Sequence, residues 1–348
     1  MQKKSRKLHG GDIYRHPEVI DFSVNTNPLG VPETVKRAVQ ASVMNMEHYP
    51  DVRCEKLKES ISRFEHVDQE EIICGNGAAE LFFAAVQALR PKKAIVTAPS
   101  FSEYEEALDS VGADVEYYEL HEEDNFQIRE DYVEKLTEDM DMIFLCNPNN
   151  PTGQIIEREK LFDILKHCRE KDIVVVLDEC FIDFLDEPEQ YEMSEYRTEY
   201  PNLLIIKAFT KIFSMPGLRL GYAISSNIEF LEKMSRMLQQ WNVSVPAQAA
   251  GVAALECPEE YIQKTREYVS REREYMRNIL KMLGYVVFAS KANYLFFKGK
   301  TGLAKEALEA GFLIRDCQNY EGLQEGFYRI AVRTKEENER LITWLGRL

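Results

Sequence analysis

The sequence predicts an α/β fold: a mostly parallel sheet with helices on both faces, followed by a smaller α+β part. Two observations carry that prediction. Between about residues 50 and 210, short apolar runs alternate with amphipathic stretches, the rhythm that strand-helix-strand crossovers produce. After about residue 225 it gives way to long, charge-rich helical segments and then to short strands. The length of 348 residues suits about two domains.

Taken in order, residues 1–31 carry His, Gly, Asn and Pro and are too few for a core of their own, so they are expected to lie as an arm across other parts of the molecule. Residues 32–240 form the expected large domain, with strands at 71–74, 93–97, 114–118, 142–146, 173–177 and 203–207. Sequential strands joined through helices imply right-handed crossovers and a doubly covered sheet. Residues 241–348 form the expected small domain. It holds a long helix at 259–282, strands at 285–288, 294–298, 312–315 and 328–332, and a closing helix at 336–348.

Composition excludes several classes. With 43 Lys plus Arg against 59 Asp plus Glu, the formal charge is −16, which argues against nucleic acid as a partner. No apolar run approaches the ~18 residues of a spanning helix, and a Gly pair and an Asp stand where a signal peptide would turn apolar; a cytoplasmic protein is expected. The seven cysteines are odd in number and scattered, with no CxxC pair, so buried free thiols are expected rather than disulfides or zinc. The six histidines form no HExxH helix, and no metal is expected.

Two phosphate loops fail on inspection. Gly299, Lys300 and Thr301 imitate the end of a Walker A loop, but its first glycine would have to stand at Tyr294. The run from Gly75 to Glu80 follows a strand and opens a helix, yet puts Glu80 where a dinucleotide fingerprint needs a small residue. What survives is a glycine-bracketed helix N-terminus whose amides can cup one phosphate.

The string FTKIFSMPGLRLGY at 209–222 is the most informative stretch. A lysine and an arginine eight residues apart are ordinarily solvated surface charge. Here they stand in a longer pattern with CNPNNPTG at 146–153, VVVLDECFIDF at 174–184, APSFSEY at 98–104 and HYPD at 48–51. Together these resemble the class I and II aminotransferase superfamily, the fold-type I enzymes that use pyridoxal 5'-phosphate. The resemblance implies that Lys211 bonds the cofactor, Asp178 pairs with its ring nitrogen, Asn150 donates to its phenolic oxygen and Phe101 stacks on its face. It further implies that Arg219, Thr210 and the Gly77, Ala78 and Ala79 amides hold its phosphate. Tyr49 would reach the phosphate of a neighbouring subunit, so a homodimer with shared sites is implied. Ala208 departs from the pattern, because a Ser or Thr often stands there.

Within that superfamily, HGGD at 9–12, DFSVNTNPLG at 21–30, SFSEYEEAL at 100–108, DECFIDF at 178–184 and IRDCQNYEGL at 314–323 are similar to the threonine-phosphate decarboxylases of the cobalamin pathway. The histidinol-phosphate aminotransferases come next; they usually have Tyr where Phe181 stands. The resemblance covers nearly the whole chain and implies that His9, Gly10, Asn25, Asn150, Arg315 and Arg329 contact a phosphorylated amino acid or amine. Two arginines suit a substrate with two anionic groups. Decarboxylation and transamination would use the same residues, and both stay open, as does a scaffold without catalysis, which fits poorly with Lys211, Asp178, Asn150 and Arg219 all in place.

Overall fold

A computed structural model describes residues 10–348. It is the predicted α/β architecture. In chain order the strands are β1 (Ile20–Asp21), β2 (Ile72–Gly75), β3 (Lys93–Ala98), β4 (Asp114–Glu119), β5 (Met142–Cys146), β6 (Val174–Asp178), β7 (Leu203–Ala208) and β8 (Gly221–Ile224). They continue with β9 (Val286–Val287), β10 (Tyr294–Lys298), β11 (Phe312–Leu313), β12 (Arg315–Asp316) and β13 (Phe327–Ala331).

The large sheet has the order β2-β8-β7-β6-β5-β3-β4. Neighbours from β7 through β4 are parallel, whereas β8 runs antiparallel to both β7 and β2. Six of these strands fall within about a residue of their expected places. β8 went unexpected because its first two residues, Gly221 and Tyr222, close the FTKIFSMPGLRLGY string, which reads as a loop.

Both faces of the sheet are buried, and the alternation is visible residue by residue. Ile143, Leu145, Val175, Leu177, Leu203 and Ile205 enter one core, while Met142, Phe144, Val176, Leu204 and Ile206 enter the core on the opposite face. A strand covered on both sides needs apolar residues at every position. That is why these segments read as unbroken apolar runs. The edge strand β4 alternates between exposed and more buried residues.

The second sheet, β12-β13-β10-β9, is antiparallel. Its core takes Leu295, Phe297, Tyr328, Ile330, Met276 and Leu280, the last two from the helix Glu259–Met282. The segment expected as one strand at 312–315 is divided. Phe312–Leu313 pairs in parallel with β1 of the arm, while Arg315–Asp316 pairs with β13. Phe22 is buried in this core, and its carbonyl accepts from the Ala331 amide at 2.8 Å. Residues 20–22 are therefore tied down by strand pairing and a buried aromatic. The closing helix, Lys335–Leu345, begins at a capping box in which Thr334 and Glu337 satisfy each other's amides.

The helix Val245–Ala254 packs against earlier parts of the chain: a Cβ added at Gly251 would meet Leu57 at 2.5 Å and Leu220 at 2.7 Å. A larger residue there would have to push aside the ends of both leucine side chains. All seven cysteines are free, and all but Cys257 are buried.

Candidate functional site

The carboxyl ends of β5, β6 and β7 lie side by side, as the pairings Cys146 with Asp178 and Asp178 with Ile206 show. In open parallel sheets ligands bind beyond these ends. The loop after β5 carries Asn150, β6 ends on Asp178, and Lys211 stands in the single helical turn Phe209–Ile212 that follows β7.

Asp178 is buried, and burial raises its pKa, since a carboxylate loses hydration there. Two donors oppose that: the Tyr104 hydroxyl gives a bond to Oδ2 at 2.5 Å, and the Cys180 amide one to Oδ1 at 2.9 Å. Tyr104 is itself fixed by stacking on Phe144 at 5.0 Å. Such a carboxylate is primed for a cationic partner, which a protonated ring nitrogen would be.

Lys211 is pushed down to about 8, first by burial and then by the Arg329 charge. Its Nζ lies 5.4 Å from the centre of the Phe181 ring. An amine with a pKa near neutrality is partly unprotonated at working pH and can act as nucleophile or proton carrier. Thr210 is buried one position earlier, and Ala208 ends β7.

Gly77 stands at the N-cap of the twelve-residue helix Ala78–Leu89 with φ of 86°. A Cβ there would run into the Arg219 guanidinium, and one at Gly221 would lie 2.7 Å from the Ala78 amide nitrogen. Arg219, with φ of 55°, donates to the Pro216 carbonyl at 3.3 Å. A cationic fork thus meets a helix N-terminus, where the dipole and free amides also favour an anion. Phe101 packs edge-on against Phe82 and Tyr104.

A second cationic region comes from the small sheet. Arg315 and Arg329 are direct partners across β12 and β13. Arg329 donates through Nη1 to Asn150 Oδ1 and through Nη2 to the Ser23 carbonyl at 2.7 Å, while its Nε is buried without a partner. Arg315 donates to Asn319 Oδ1 at 2.7 Å and to the Asp316 carbonyl at 2.8 Å, and lies over the Tyr320 ring. Asn25 is buried with Oδ1 unpartnered. Gly10 is pressed against the same segment, where a Cβ would stand 2.5 Å from the Ser23 carbonyl. His9 lies outside the described residues.

Hence Asn150 and Arg329 are joined by a hydrogen bond, the charges of Arg329 and Asp178 act directly on Lys211, and Arg219 meets Gly77. Tyr49 is different: it is 78 % exposed and stacks on Trp241 at 4.4 Å. Four participants escaped sequence reasoning, namely Tyr104, Ser23, Asn319 and Tyr320, although every one lies within a motif already singled out. Among the described residues no group of three or more His, Cys, Asp or Glu could hold a metal ion, and no helix is long and apolar enough to cross a membrane.

Comparison with known proteins identifies the family. Residues 17–345 match the family described as aminotransferase class I and II. A Caldanaerobacter subterraneus protein carrying the provisional name threonine-phosphate decarboxylase is 40 % identical, covering 96 % of this chain and 92 % of its own. The threonine-phosphate decarboxylase of Salmonella typhimurium is 35 % identical over 97 % of this chain and 95 % of its own. Among solved structures, the histidinol-phosphate aminotransferase of Clostridium acetobutylicum superposes with a TM-score of 0.88 at 32 % identity, covering 94 % of this chain and 98 % of its own. Fold, site and relatives lead to one conclusion: the chain belongs to the class I and II aminotransferases, the enzymes that work with pyridoxal 5'-phosphate.

Proposed function

We propose that this enzyme decarboxylates O-phospho-L-threonine to aminopropanol phosphate. The observation that carries the reading is the pairing of Arg315 directly opposite Arg329. Like charges facing each other across two strands are unfavourable, and a substrate bearing a carboxylate and a phosphate relieves that repulsion, each anion suiting one guanidinium fork. The decarboxylase names of the 40 % and 35 % identical relatives support it.

The buried Asp178 and the glycine cradle at Gly77 fit pyridoxal 5'-phosphate. Lys211 would hold it covalently, with Asp178 at the ring nitrogen, Asn150 at the phenolic oxygen and Phe101 on the ring face. Arg219, Thr210 and the Gly77, Ala78 and Ala79 amides would take the phosphate. When bound, the cofactor supplies a protonated ring that draws in the electron pair of a breaking bond. Arg315, Arg329, Asn25, Gly10 and His9 orient the substrate so that its Cα–carboxylate bond is the one that breaks. Carbon dioxide leaves without that electron pair, and Lys211 Nζ or water then delivers a proton to Cα, where the pair forms the new C–H bond. In this reading the protein is a cytoplasmic homodimer in which Tyr49 of each copy serves the other's phosphate site, with an arm at 1–31, a large domain at 32–240 and a small domain at 241–348. Light scattering that finds a monomer at working concentration would remove Tyr49 from the site.

The solved histidinol-phosphate aminotransferase at 32 % identity favours a second reading. There Lys211 removes the Cα proton instead, and the amine passes to 2-oxoglutarate. A paired assay separates them. Carbon dioxide released from O-phosphothreonine without a keto acid supports the decarboxylase, whereas glutamate formed from histidinol phosphate and 2-oxoglutarate without carbon dioxide replaces it.

A further inference from the structure

We propose that Cys54 and Cys74 are a redox-modification site, a thiol pair that a low-molecular-weight disulfide converts into an intramolecular disulfide. They are 20 residues apart in sequence yet are buried in one core cluster and line one cavity, close enough for each thiol to act on the other. No catalytic step uses either. Cys54 stands at the N-cap of the eleven-residue helix Glu55–Glu65, in the left-handed backbone region with φ of 52°. Cys74 belongs to β2, immediately before Gly75.

The two thiols are chemically unlike, which is what exchange needs. The bond with Cys74 holds Cys54 below the usual thiol range, aided by Lys58 and opposed by burial and Asp51. A helix N-terminus also favours a thiolate. The same bond and complete burial push Cys74 up. Cys54 is thus the attacking sulfur and Cys74 the resolving one. A path for a small disulfide is present too, because Cys54 and Cys74 line a cavity of about 410 Å³ together with Val52, Lys58, Gln240 and Asn242.

The chemistry balances as two exchanges. The Cys54 thiolate attacks one sulfur of the small disulfide, forming a mixed disulfide and expelling one thiolate. Cys74 then loses its proton and attacks the Cys54 sulfur, expelling the second small thiol. Two protein thiols are oxidised and one disulfide is reduced to two thiols. The new bond would join the turn that follows Tyr49 to the strand that leads into the Gly77 cradle.

The test uses the cofactor-loaded enzyme and oxidised glutathione. Non-reducing digestion and mass spectrometry should find the Cys54 and Cys74 peptides joined, two thiols lost from the pair, and dithiothreitol restoring both. Cys74→Ser should stop at glutathione on Cys54, and Cys54→Ser should leave Cys74 unmodified. In the unaltered protein, brief iodoacetamide treatment should label Cys54 ahead of Cys146, Cys168, Cys180 and Cys317, a readout that needs no variant to fold. Glutathione appearing only on the exposed Cys257, or Cys54 labelled no faster than the other buried thiols, overturns the proposal.

Discussion

Lys207 and Lys211 lie one helical turn apart in sequence, and the protein treats them in opposite ways. Lys207 is buried on β7, with its ammonium 2.9 Å from Glu65, 3.3 Å from Glu192 and 3.9 Å from Glu179. Burial works against its charge, but those carboxylates hold it far above the usual lysine range. Lys211 is buried as well, and burial is the first reason it falls to about 8; Arg329 and Arg219 add to the fall, and Cys180 and Asp178 oppose it. The first lysine is a permanently charged strut and the second a usable amine. Side-chain type cannot tell them apart; the sign of the neighbouring charges does.

The largest expected effect separates them by chemistry. Lys211→Ala should lower turnover by at least about 10³-fold, the scale of a lost proton carrier, and abolish the visible absorbance of lysine-bound cofactor while leaving the urea midpoint nearly unchanged. Turnover at the native rate would sink the assignment.

Lys207→Met should do the reverse. Leaving buried carboxylates without their cation costs about 3–5 kcal/mol, read as a fall in unfolding free energy, while the variant that still folds keeps its cofactor absorbance. The loss should depend on pH. Burial lifts Glu179 to about 8 and Asp183 to about 6. Raised carboxyl groups keep protons in the folded state that the unfolded chain releases. Their stabilising contribution is present below about 4.5 and lost as pH rises through 6 and then 8. Unfolding at pH 5 and pH 8 should show the larger deficit at pH 8; equal deficits would mean these carboxyls do not titrate with the lysine.

Smaller effects sharpen the Lys211 side. Arg329→Lys keeps the charge but removes the fork, and should cost roughly 1.5–3 kcal/mol in kcat/KM, chiefly through KM, with the cofactor spectrum intact. Tyr104→Phe removes one donor from Asp178 and should lower kcat about tenfold with KM little changed, a split within the range of one hydrogen bond to a charged group. An unchanged kcat would reduce Tyr104 to packing. The smallest change belongs to Ala208→Ser, expected to tighten cofactor retention a few-fold by adding one phosphate donor.

Legibility followed the same division. The parallel strands could be read because doubly buried strands must be apolar throughout, as at Met142–Cys146 and Leu203–Ala208. Lys211, Asp178, Asn150 and Arg219 could be picked out because their spacing within motifs is local information. Tyr104 and Tyr320 lay in the same motifs unseen, since an aromatic after a strand looks like core until its hydroxyl is placed. The carboxylates around Lys207 come from 65, 179 and 192, and no local pattern joins such distant positions.

By itself, then, the sequence determined the strand rhythm, the helix at Glu259–Met282, the cofactor motifs and the acidic charge, because periodicity and short spacings are set within a few residues. Tertiary structure alone decided that β8 runs antiparallel, that residues 312–315 divide between two sheets and that Arg315 faces Arg329. It also decided which of two lysines a turn apart stays charged and which is free to react. The physical reason is that burial and Coulomb energy depend on separation in space, and chain folding sets that separation between residues far apart in sequence.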